Sequence, residues 1–107
     1  MSWIVEFLDE DVEALLDALP QDMRAHFVRI VSLIQSEGLE RVREPYVKHL
    51  EAKLWEMRLK GRSGIARAIY VTAIGKRIVV VHVFTKKTQK TPRHEIETAL
   101  KRAKEVE

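Results

Sequence analysis

From Trp3 to Phe7 the chain is short, apolar and β-prone, which predicts an opening strand. The period then changes. Val12, Leu15, Leu16 and Leu19 recur at i, i+3, i+4 and i+7 behind Asp9 and Asp11, either of which can cap a helix, and Pro20 ends that helix or opens the next. In the next helix Met23, Phe27, Ile30, Val31 and Ile34 make one apolar stripe, Arg24, Arg29 and Gln35 face water, and Gly38 is the expected stop.

Residues 39–52 carry Pro45 and no clean period, so they predict a loop or a broken turn of helix against the sheet. Trp55, Met57 and Leu59 alternate with Glu56, Arg58 and Lys60, the pattern of a half-buried strand, and Gly61 to Gly64 predicts a turn. Ile65 to Ile74 and Arg77 to Thr85, joined at Gly75-Lys76, are almost continuously apolar and β-branched, as central strands covered on both faces tend to be. Thr91 as cap and Pro92 at the first helical position then open a helix with Ile96, Ala99, Leu100 and Ala103 on one side. The order β-α-α-β-β-β-α predicts one small α+β domain over residues 1–107, with a mainly antiparallel sheet and helices packed on one face.

Composition agrees with a folded domain: 107 residues, 46% of them apolar and 33% charged, can close one core but not two. The absence of cysteine removes disulfides, thiolate metal sites and thiol nucleophiles, and fits a reducing cytoplasm. The acidic opening segment lacks the basic start of an export signal, and the longest apolar runs fall far short of the roughly 18 residues of a membrane span, so neither export nor a membrane is expected. Charge is unevenly spread. Residues 1–40 hold nine acids and two bases, residues 41–93 three acids and fourteen bases, and the overall net charge is +3. A basic block of that kind is the footprint of a polyanion partner, nucleic acid being the commonest, or else a solvated basic face.

Within the block, Arg58 is expected on the polar face of its strand beside Glu56. Arg67 interrupts an apolar strand and must find a carboxylate, a carbonyl or an anionic ligand; pairing with Glu56 is one answer, a phosphate another. Lys86, Lys87, Lys90 and Arg93 gather at the start of the last helix, where its dipole suits a phosphate. His94 lies beside that cluster, Lys48 and His49 lie in the preceding loop, and His82 among Val81, Val83 and Phe84 reads as a packed core histidine. His26 reads as surface. No histidine pair has metal spacing and no serine sits in a nucleophile elbow, so no metal or other cofactor is expected. Cations that stabilise a five-coordinate phosphorus, with a glutamate, histidine or lysine to move protons, are what metal-free RNA cleavage by 2′-hydroxyl attack requires.

The stretch from EPYVKH through LWEMR, the glycine turn, the strand with Arg67, and FTKKTQKTP with its helix resembles the RelE/HigB-type toxins of bacterial toxin–antitoxin pairs, most closely the phage-derived Gp49-like HigB branch. The resemblance implies a RelE-like fold and a messenger-RNA endoribonuclease, acting on the translating ribosome and held inactive by a cognate antitoxin, commonly a helix-turn-helix protein. It implies that Arg58 and Arg67 contact the scissile phosphate, that Lys86 or Lys87 is the basic position after the last strand, and that Glu44 is a general base with Lys48 and His49 beside it. Relatives place a Tyr or His near the C-terminus as general acid; the tail ALKRAKEVE has neither, leaving His94 or Lys90 to substitute. The alternative is a non-catalytic RNA- or ribosome-binding module that keeps the basic face without a working acid and base.

Overall fold

Asp9 caps the first helix through a specific contact, its Oδ1 accepting the Val12 N–H at 3.0 Å. In this computed structural model, which describes residues 2–86 and 90–106, β1 (Ile4–Phe7) leads into α1 (Glu10–Asp17) and α2 (Gln21–Glu37). A 3-10 turn at Leu39–Arg41 follows, then β2 (Val47–Glu51), β3 (Leu54–Gly61), β4 (Gly64–Ala73), β5 (Arg77–Lys86) and α3 (Arg93–Ala103). One sheet has the order β1-β5-β4-β3-β2, with β1 parallel to β5 and every other pair antiparallel. The α+β class and the mainly antiparallel sheet are those the patterning predicts.

Two features differ from that expectation. Val47–Glu51 is a fifth strand rather than a loop: His49 pairs with Trp55 and Val47 with Met57, and backbone pairing with β3 makes a strand that its mixed sequence does not announce. The helices also lie on both faces of the sheet, not one. Val12, Leu16, Met23, Phe27, Ile30 and Ile34 of α1 and α2 pack on Met57, Leu59, Ala66, Ala68 and Val80. Ile96, Ala99 and Leu100 of α3 pack on Leu54, Ile69, Val71, Val79 and Val81 across the sheet. The physical cause is the continuous apolarity of β4 and β5, whose two faces each need cover, and α3 is the element left to supply the second.

The start of α3 shifts as well. Pro92 is its N-cap, no side chain caps it, and the hydroxyl expected to do so, that of Thr91, is engaged elsewhere. Gly75 supplies the left-handed turn between β4 and β5 with φ +87°.

Because β3 outruns β2, its last N–H groups, and that of Arg62 in the turn after it, need other acceptors. Tyr46 O takes the Arg58 N–H at 2.9 Å, His26 Nδ1 takes that of Lys60 at 2.9 Å, and Asp22 Oδ2 takes that of Arg62 at 2.6 Å. His26 is thus half-buried and structural rather than a surface residue. A Cβ on Gly61 would lie 2.6 Å from Asp22 Oδ1 and 2.8 Å from Met23 Cγ, and Asp22 cannot swing away without releasing Arg62. Gly61→Ala is therefore expected to destabilise the fold by about 1–3 kcal/mol in urea unfolding.

Burial first, and Arg29 and Lys60 after it, hold the His26 ring below its ordinary pKa of 6.5. A depressed histidine pKa means that the folded state prefers the neutral ring, so its contribution is present above 6.5 and is lost as pH falls below it. The urea midpoint of the wild type is expected to drop more from about pH 7.5 to about pH 5.5 than that of His26→Asn, which keeps an acceptor that does not titrate there. Equal drops would show that His26 is not the titrating latch.

Candidate functional site

Side chains alternate across a strand, so Leu54, Glu56 and Arg58 of β3 share the α3 face with Arg67, Ile69 and Val71 of β4. The register sets Arg58 opposite Arg67, an unfavourable like-charge pair on its own. Glu56 answers it. Its carboxylate accepts from Arg67 Nη1 through Oε1 and from the Thr91 hydroxyl at 3.0 Å through Oε2, with Glu56 1% and Arg67 4% exposed. Burial lowers the Arg67 pKa, Glu56 opposes that shift, and Arg58 adds to it. The network ties β3, β4 and the entry of α3 together.

Beside it a cleft of about 720 Å³ opens between β2, β3 and the start of α3, with Lys48, Arg58, Lys90, Thr91 and Arg93 among its walls. Arg58 is half-buried, and its Nε is buried with no hydrogen-bond partner among the described residues; the same holds for Arg67 Nε. Lining the cleft with no carboxylate paired to it among the described residues, the Arg58 guanidinium is the arginine there best placed to meet an anion. Arg93 spans the cleft by giving Nη1 and Nη2 to the two oxygens of Glu51 at 2.6 and 3.0 Å, which holds the Glu51 carboxyl below the usual carboxylate range. Any phosphate reaching Arg93 must compete with Glu51.

The predicted site residues are therefore only partly gathered. Arg58, Lys48, His49, Lys90 and Arg93 line the cleft, and Arg67 lies behind it, paired with Glu56. Glu44 lies elsewhere: with Trp3, Trp55 and Tyr70 it lines a second cavity, of about 580 Å³, on the α2 face. Val47 belongs to the core under α1 and α2, whereas Leu50 packs with the α3 cluster, so β2 is the edge that parts the two cavities, and Lys48 and His49 line both. His49 donates through Nε2 to Ala52 O at 2.8 Å and meets Trp55 edge-on, centroids 5.0 Å apart. His94 is exposed on α3, its Nε2 3.8 Å from Glu95 Oε1. The Lys86 main chain pairs with Ile65, its side chain is not described, and Lys87 lies outside the described residues.

His82 is buried as expected, and its partners define its tautomer. Arg102 Nη1 donates to Nδ1 at 3.0 Å and to Val81 O at 3.1 Å, so Nε2 carries the proton toward Glu95 Oε1 at 2.8 Å. The sequence reading missed Thr91 and Glu51 as partners. Thr91 looks like a helix cap, and Glu51 sits in a segment with no strand pattern, so only the second could have been found, by recognising β2. Among the described residues no three His, Asp or Glu side chains converge as a metal site would need, and no helix is long and apolar enough to cross a membrane.

A four-residue strand parallel to β5, two helices on one sheet face and a third on the other, above an arginine-walled cleft, define a RelE-like domain. The chain superimposes on a free double arginine-to-alanine variant of the E. coli toxin RelE with a TM-score of 0.66 at 18% identity, over 95% of this chain and 98% of that one. It superimposes on a chain of the archaeal RelE–RelB complex from Pyrococcus horikoshii OT3 with a TM-score of 0.58 at 24% identity, over 81% and 98%. No curated protein matches it in sequence. Residues 14–104 match the model of the phage-derived Gp49-like family, to which the chain belongs.

Proposed function

We propose that this protein is the toxin of a toxin–antitoxin pair, a metal-independent messenger-RNA endoribonuclease that works at the ribosome in the cytoplasm and is silenced by a cognate antitoxin. The observation that carries this reading is Arg58, which lines the basic cleft with no carboxylate paired to it among the described residues. The RelE fold and the Gp49-like family support it, as does the capture of a structural neighbour in a complex with RelB. In this reading Arg58 neutralises charge on the five-coordinate phosphorus, Lys48, Lys90 and Lys87 hold flanking phosphates, and Arg67, paired with Glu56, braces the wall from behind. His49, which lines the cleft and gives Nε2 to Ala52 O so that Nδ1 accepts, takes the 2′-hydroxyl proton in place of Glu44, and His94 or Lys90 supplies the proton to the leaving 5′-oxygen.

One observation favours the non-catalytic reading: both carboxylates of the cleft, Glu51 and Glu56, are tied to arginines, and Glu44 lies across β2 from Arg58. A module of that kind binds RNA with strong salt dependence and releases no product. Inducible expression in bacteria, with growth followed and messenger 5′ ends mapped, separates them. Growth arrest with new internal ends is expected. Normal growth and intact messages from soluble protein would leave the binding module.

A further inference from the structure

The second cavity has a composition unlike the basic cleft. Both of the chain's tryptophans, Trp3 and Trp55, line it together with Tyr70, Leu39 and Val42, and its volume of about 580 Å³ suits a small planar group. Trp55 is 39% exposed although its strand position reads as core, and His49 steadies its ring edge-on. An aromatic ring left open at a cavity wall offers its face to a flat ligand. Its continuity with the cleft says which. Its own charges balance, Arg43 and Lys48 against Glu40 and Glu44, but Lys48 and His49 also line the basic cleft, so one strand edge connects an arginine-walled phosphate site to an aromatic slot.

We propose that this cavity is a nucleobase site, in which a base of single-stranded RNA stacks on Trp55 while the chain's phosphates cross β2 to Arg58. The proposal rests on the RNA-binding reading above and adds to it where a base is held. Stacking on an aromatic ring is open to any base because each has a π-face, and Lys48 on the β2 edge accepts the phosphate between the two sites. An apolar side chain of a protein partner would cover the same rings but would gain nothing from the basic cleft that Lys48 and His49 join to them.

The test uses the whole protein and an end-labelled 2′-O-methyl RNA octamer, which cannot be cleaved by 2′-hydroxyl attack, with inorganic polyphosphate as a polyanion without bases. Binding is read by anisotropy of the label and occupancy of the cavity by tryptophan emission, since both tryptophans line it. RNA is expected to quench the emission, and polyphosphate to displace RNA from the cleft without quenching. Trp55→Ala is expected to weaken RNA binding about tenfold without changing the slope of log affinity against log salt, because stacking releases no counterions. Trp55→Phe should restore most of the loss. RNA that binds without quenching, polyphosphate that quenches equally, or a Trp55→Ala protein that binds as tightly as wild type each overturns the base site and leaves the basic cleft standing. Absence of any RNA binding removes both together. Should Trp55→Ala not fold, the quenching comparison on the wild type decides alone.

Discussion

Glu56→Ala is expected to cost about 3–5 kcal/mol of folding stability, because it leaves Arg67 charged, buried and without its carboxylate. The loss is compounded by geometry. Arg58 faces Arg67 across the strands, so removing Glu56 leaves two guanidinium groups opposed on one sheet face. The Thr91 hydroxyl also loses its acceptor, which loosens the entry to α3. A double-mutant cycle in urea tests this. Adding Arg67→Met should recover much of the stability, since an apolar side chain there suits the Ile69 and Val71 surroundings and no buried charge remains. A single-variant loss below about 1 kcal/mol would sink the argument.

Arg58→Ala is expected to act on the other axis, leaving stability nearly unchanged and lowering RNA cleavage by about 10²–10³-fold. Stability is spared because Arg58 is half-buried and its removal relieves the like charge beside Arg67. Cleavage falls because the other described arginine of the cleft, Arg93, is held by Glu51, and Arg67 behind it is held by Glu56. The affinity for RNA should lose about one unit of salt slope, the share of a single phosphate contact. Arg58→Lys, which keeps the charge without the fork, should recover binding better than cleavage. The measurement is cleavage of a defined messenger on translating ribosomes by purified antitoxin-free protein, paired with growth on induction. Undiminished cleavage by Arg58→Ala would move the catalytic centre away from this cleft.

Much of the architecture was legible because it is written in local periods. The stripe from Met23 to Ile34 stops at Gly38, and the β4 and β5 runs turn at Gly75, as their residues predict. The Arg67–Glu56 pair was legible as one of two answers, since a cation in an apolar strand has few ways to be satisfied. What failed had no local signature. β2 exists through its pairing with β3, so reading 39–52 as a loop also hid Glu51 as the partner of Arg93.

The amino-acid sequence by itself determined the order of the elements other than β2, the α+β class, the three apolar helical stripes and the basic block. Each follows from nearest neighbours along the chain: side-chain period, turn residues and charge. Only the tertiary structure decided that α3 crosses to the second sheet face, that Thr91 serves Glu56 rather than its own helix, and that Glu44 and Arg58 stand on opposite sides of β2. These depend on which faces remain uncovered once the sheet has formed and on which strand lies at its edge, and both are properties of the assembled layers.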